Sequence, residues 1–144
     1  MNSKIKDILK TKGSQVWSVS PNDSVFRALE IMAEKEVGAL VVLENNKIVG
    51  IFSERDYARK VILKGKASKS TTVKELMTSS VFCVTPETSV EECMALISEK
   101  RIRHLPVVEN EKLVGMVTIG DTVKQTISDK DIHIKLLHDY IVSK

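Results

Sequence analysis

Ile48-Val-Gly50-Ile-Phe-Ser53-Glu-Arg-Asp56 and Leu113-Val-Gly115-Met-Val-Thr118-Ile-Gly-Asp121 follow one pattern, an apolar-Val-Gly stretch closed by Ser/Thr-x-x-Asp. They lie 65 residues apart. Extended outward at that constant offset, residues 16–61 lie on residues 81–126 without a gap, and fifteen of the 46 positions are identical. Ordinary composition would give about three. Val16-Trp-Ser-Val-Ser-Pro21 meets Val81-Phe-Cys-Val-Thr-Pro86, and a shorter match precedes each copy, Asp7-Ile-Leu9 over Glu75-Leu-Met77, shifted by three residues. One unit is used twice, and a repeat of this kind decides the architecture.

Each copy predicts the same order of elements. A short strand runs up to Pro21 or Pro86, and Ser24 or Ser89 caps the helix that follows; Ser89 and Glu92 have capping-box spacing. Val25, Leu29, Met32 and Ala33, and likewise Val90, Met94 and Ile97, recur at helical spacing. An apolar strand comes next, Ala39–Leu43 or Leu105–Val108. Asn45-Asn46 or Asn110-Glu111 turns it, because Asn tolerates positive φ. After a second strand, a second helix starts at Ser53 or Thr118. The expected fold is therefore α/β (α+β), two pseudo-symmetric β-α-β-β-α repeats packed sheet to sheet around a common core. The expected boundaries are a first repeat at 1–63, a linker at 64–72, a second repeat at 73–127 and a C-terminal helix at 128–144. Ile134, Leu137 and Ile141 form one stripe of that helix, suited to a domain edge or a dimer interface.

Composition narrows the function. The 144 residues are 42% hydrophobic and 28% charged, which suits a folded globular protein rather than a disordered one. Aromatic residues are 4%, too few for stacking platforms on single-stranded nucleic acid. A net charge of +3, from 22 basic and 19 acidic residues, demands neither nucleic acid nor an anionic membrane as partner. The longest aliphatic run, Ala39–Leu43, is far too short to span a bilayer, and Met1–Asp7 lacks the apolar core of a signal peptide. The expectation is a soluble cytoplasmic protein. Cys83 and Cys93 have neither redox-pair nor zinc spacing and read as small buried hydrophobes in a reducing compartment.

No catalytic constellation is present. There is no G-x-S-x-G elbow and no G-x-G-x-x-G. Gly115 and Gly120 have P-loop spacing, but Asp121-Thr122 stands where Lys-Ser/Thr is required. His104, His133 and His138 lack metal spacing, and Glu30, Glu34, Glu91 and Glu92 read as a solvated face. The chain is not expected to be an enzyme.

What remains are paired sites. Ser53-x-x-Asp56 and Thr118-x-x-Asp121 each read as a helix N-cap. The same residues also present free N–H groups, a hydroxyl and a carboxylate that accepts from a cis-diol, which together suit a nucleotide. Capping and binding can coexist. Arg103 and His104 open a strand in the second copy where the first has Gly38 and Ala39; they read as surface charge or as phosphate ligands in a cleft. Lys64, Lys66 and Lys69, with Ser68, Ser70 and Thr71, read as solvated linker or as a phosphate clamp.

With both Ser/Thr-x-x-Asp motifs and Ile102-Arg-His-Leu-Pro-Val107, the chain resembles a pair of cystathionine β-synthase (CBS) domains, a Bateman module, over roughly residues 4–126. Glu54-Arg-Asp-Tyr-x-Arg-Lys60 and Ser68-Lys-x-Thr71 are similar to stand-alone CBS-pair proteins. The resemblance implies an adenine nucleotide (AMP, ADP, ATP or NAD(H), or S-adenosylmethionine) bound without catalysis between the repeats. It also implies a homodimer and an effector protein under control. It implies crossed sites, Ser53, Arg55 and Asp56 with Phe82, Arg103 and His104, and Thr118 and Asp121 with Trp17, Gly38 and Ala39. Asp56 would hold ribose, Arg103 and His104 phosphate, and backbone near Phe82 the adenine edge. Gly38 stands where family members place a basic residue, for which Arg103, His104 or Lys69 would compensate. The competing reading is a structural protein–protein interaction module without ligand, whose Ser/Thr and Asp residues only cap helices.

Overall fold

The computed structural model describes residues 3–130. The order is α1 (Ile5–Lys12), β1 (Ser18–Val19), α2 (Val25–Lys35), β2 (Ala39–Glu44), β3 (Lys47–Ser53) and α3 (Glu54–Asp56), which runs on as a π-helix over Tyr57–Ile62. There follow α4 (Val73–Leu76), α5 (Val90–Lys100), β4 (His104–Glu109), β5 (Lys112–Thr118) and α6 (Ile119–Asp129). The anticipated stripe at Ile134, Leu137 and Ile141 lies outside the described residues, as do His133 and His138. No helix of the described residues is long and apolar enough to cross a membrane.

Local sequence accounts for most of these elements. Ser24 Oγ accepts from Arg27 N and Ser89 Oγ from Glu92 N, both at 3.0 Å, so both expected caps form. Both helices close on a left-handed residue, Glu36 (φ 55°) and Arg101 (φ 54°). The β2–β3 and β4–β5 hairpins turn through Asn45-Asn46 and Asn110-Glu111, with all four residues at positive φ and a bulge at the same place in each pair. The first strand of each repeat is shorter than expected. β1 spans two residues, parallel to β2, and its counterpart is a single bridge between Val84 and Val107. Alternation around that bridge turns Val84 inward and leaves Cys83 exposed, which corrects the expectation that both thiols are buried. Cys93 is buried, and burial with the Asp121 charge pushes its thiol up to about 11, so it is an inert hydrophobe.

The expected common core is two cores. One joins Val25, Ala28, Leu40 and Phe52 of the first repeat to Val73 and Leu76 of α4. The other joins Val90, Cys93, Leu105 and Val117 of the second repeat to Ile5 and Ile8 of α1. Each short helix thus packs on the repeat that does not follow it directly. Val73 N donates to Asp23 O and Lys74 N to Pro21 O, while Ile5 N donates to Thr88 O and Lys6 N to Pro86 O, all at 2.9 Å. Those turns of chain satisfy amides that a helix start would otherwise leave orphaned. The opposite sheet faces are buried too, at Ala39 and Val41 in one and Pro106 and Met116 in the other. There the two repeats meet, with His104 against Gly38.

The shifted match of Leu9 to Met77 is explained by this exchange. A Cβ on Gly50 would stand 2.5 Å from Met77 Sδ and 3.0 Å from the Thr78 carbonyl, and one on Gly115 would stand 2.8 Å from Leu9 Cδ2. The glycines are seats for the incoming helices. Gly50→Ala is expected to cost about 1–3 kcal/mol in urea denaturation by overpacking. Met77→Ala in the same chain should recover part of that loss; fully additive costs would show that the seat is not the cause. Glu111→Gly relieves a left-handed Glu (φ 64°) and should raise stability by about 0.5–1 kcal/mol, read as a higher melting temperature.

Candidate nucleotide clefts

Each Ser/Thr-x-x-Asp motif ends a hairpin strand and starts a helix, so its groups converge at a helix N-terminus. Ser53 Oγ accepts from Asp56 N at 3.2 Å while Ser53 N donates to Asp56 Oδ2 at 3.0 Å. Thr118 Oγ1 accepts from Asp121 N at 3.1 Å while Thr118 N donates to Asp121 Oδ2 at 2.9 Å. Both are complete capping boxes. The carboxylates have further partners. Asp56 Oδ1 accepts from Thr78 Oγ1 at 3.2 Å and pairs with Lys60 Nζ at 3.0 Å. Asp121 Oδ2 takes Lys12 Nζ at 2.6 Å, and that ammonium also donates to Met116 O at 2.8 Å.

Two clefts open between the repeats. The first, about 330 Å³, brings Ser53, Arg55 and Asp56 together with Phe82, Arg103 and His104. The second, about 350 Å³, brings Trp17, Gly38 and Ala39 together with Thr118. Asp121 does not line the second cleft; it stands behind Lys12, which does. Lys69 lines neither, because its ammonium lies 4.9 Å from the Phe26 ring centroid on the linker side. Both volumes fall within the range of small-molecule sites, at its lower end.

His104 belongs to both clefts. A Cβ at position 38 would lie 3.5 Å from its Nε2, so the absent side chain of Gly38 is the space the imidazole occupies. Burial, reinforced by the Lys12 and Arg103 charges and opposed by Asp121, holds its pKa below the usual imidazole value.

Sequence reasoning did not single out Lys12, Lys60, Thr78, Arg59 and Arg101, all at the clefts or on their carboxylates. Lys60 was readable as one helical turn beyond Asp56. Lys12 was not, because nothing local says that α1 crosses to the second repeat. A third groove is lined by Met94 and Ile97 of α5 and Ile119 and Val123 of α6, together with Arg55, Arg101 and Arg103, which also line the first cleft.

The sequence profile of the CBS domain matches residues 5–63 and 73–132. CBS domain-containing protein CBSX3, mitochondrial, of Arabidopsis thaliana is 40% identical over 147 residues, covering 95% of this chain and 71% of that protein. The crystal structure of the CBS-domain containing protein ATU1752 from Agrobacterium tumefaciens superposes with a TM-score of 0.82 at 35% identity, covering 87% of this chain and 100% of that one. The CBS domain pair of protein MJ0100, solved in complex with 5′-methylthioadenosine and S-adenosyl-L-methionine, has a TM-score of 0.77 at 25% identity, covering 90% of this chain and 99% of that one.

The depressed pKa of His104 has a consequence for stability. Below about pH 6.5 the unfolded chain binds a proton that folded His104 refuses, so acidification costs stability from there down to the folded-state pKa. His104→Asn should therefore flatten the loss of melting temperature between pH 7.5 and 5.5. Equal slopes in the two proteins would remove His104 from the explanation.

Proposed function

This chain belongs to the CBS domain family, and on that footing we propose that it is a non-catalytic regulatory module binding an adenine nucleotide (AMP, ADP, ATP or NAD(H)) between its repeats. Binding reports energy or redox state to a partner protein. The observation that carries this reading is the first cleft, where a diol acceptor and helix N-terminus from one repeat face Arg103, His104 and Phe82 from the other. The adenosyl ligands of the MJ0100 domain pair support the ligand class.

The chemistry follows from the side chains. Ribose hydroxyls replace Thr78 Oγ1, whose 3.2 Å bond to Asp56 is long for O–H···O⁻ and easily exchanged. Arg103 and the His104 edge take phosphate, and backbone near Phe82 takes the adenine edge. In the second cleft Thr118 acts with Trp17, Gly38 and Ala39, and Asp121 acts from behind through Lys12. A ligand held by both repeats favours the arrangement in which they are closest, and this differential affinity is what shifts the population a partner senses. We assign the exposed Ile119, Val123 and Ile127 of α6 to a homodimer contact, and the module to the cytoplasm.

A second reading, an interaction module without ligand, is favoured by the completeness of both capping boxes. Thermal shift and calorimetry separate the two. A nucleotide at about 100 times its Kd adds roughly 2.7 kcal/mol, several degrees for a domain of this size. Asp56→Asn and Asp121→Asn keep a cap acceptor but lose the charge, and each should weaken one site about tenfold or more. A folded protein that shifts with none of AMP, ATP or NADH would establish the second reading.

A further inference from the structure

We infer that the two clefts are sorted by charge: the first takes an adenosyl ligand carrying a di- or triphosphate, and the second takes one with a single phosphate or none, with Lys12 setting that limit. The inference rests on the nucleotide-binding reading and says which ligand goes where.

The first cleft is lined by Arg55, Arg59, Lys60, Arg101 and Arg103 against one carboxylate, Asp56. At the 65-residue offset the same positions serving the second cleft are Gly120, Lys124, Gln125, Glu36 and Gly38. Four of the five cations are gone, and one has become an acid that lines the cleft. Lys124 does not line it, and Gln125 is turned to Asp129 at 3.1 Å. The aromatic ends do not discriminate. Lys35 lies over Trp17 and pairs with Glu34, as Lys100 lies over Phe82 and pairs with Glu99.

Lys12 is the replacement cation, delivered from outside the repeat by α1. Two of its three protons are committed, to Asp121 Oδ2 at 2.6 Å and Met116 O at 2.8 Å, which leaves one for a ligand. Among the described residues no other Lys or Arg lines this cleft, and burial disfavours the charged form of His104 beside it. One phosphate can be met there. A second or third would face Glu36 with no counter-charge. In the first cleft, by contrast, several arginines can share a polyphosphate in bidentate fashion.

Trp17 is the only tryptophan of the chain and it lines the second cleft, so its emission reads that cleft while calorimetry counts both. ATP is expected to give binding heat that weakens with added salt and to leave Trp17 emission unchanged. Adenosine is expected to change Trp17 emission with little dependence on salt. ATP changing Trp17 at the concentration of its calorimetric transition would overturn the assignment, as would adenosine binding without touching Trp17. Absence of heat from both would instead overturn nucleotide binding itself. Lys12→Gln keeps a hydrogen-bonding head without the charge, and should lower the ratio of AMP to adenosine affinity at Trp17 about tenfold, while Lys12→Arg preserves it. An unchanged ratio in a folded Lys12→Gln protein would remove Lys12 from its role.

Discussion

The exchange of short helices between the repeats is the constraint from which the remaining geometry follows. A β-α-β-β-α unit of this length leaves part of its apolar interior open where the first strand is only a residue or two long. In the first repeat α4 fills that opening with Val73 and Leu76, and in the second α1 fills it with Ile5 and Ile8. Burying these four side chains is worth roughly 1.5–3 kcal/mol each by transfer. The backbone amides at both helix starts are satisfied by the turn at Pro21 or Pro86. The first core closes only with chain from beyond the linker, and the second only with chain that precedes the first repeat. The two repeats are therefore tied together by the helices they exchange, and the clefts between them form where those ties hold the sheets face to face.

Glycine makes the exchange possible at close range. Gly50 and Gly115 sit in mid-strand, where the residue is conformationally unfavourable, and their use is steric: Met77 and Leu9 rest in the space where a Cβ would be. From those seats the chain continues directly into the site. Thr78, next to Met77, reaches Asp56 in the first cleft, and Lys12, one helical turn from Leu9, reaches Asp121 behind the second. The segments that close the cores are the segments that place Thr78 and Lys12 at the site.

The carboxylates do two things at once. Asp56 and Asp121 close capping boxes that satisfy the first amides of their helices, and each also holds a lysine, Asp56 within the first cleft and Asp121 behind the second. A residue in this position cannot be assigned from its local pattern, since a cap and a diol acceptor require the same atom types in the same place. What separates them is the company each carboxylate keeps across the repeat boundary.

Periodicity, caps and turn chemistry decided the elements of this protein, because these are short-range: Ser24, Ser89 and the Asn-led hairpin turns act within four residues of themselves. The internal repeat and its motifs carried the resemblance to the CBS family, and it was that resemblance that implied the crossing of Ser53, Arg55 and Asp56 with Phe82, Arg103 and His104. Tertiary structure decided what depends on long-range contact. It divided the expected single core in two, because α1 and α4 cross between repeats. It turned Cys83 outward, because the strand holding it shrank to a bridge. It put Lys12, rather than Lys69, into the second cleft, because the helix carrying it is seated on Gly115. A charge 109 residues distant from its partner leaves no periodic trace in the chain; only the folded backbone brings Lys12 and Asp121 to 2.6 Å.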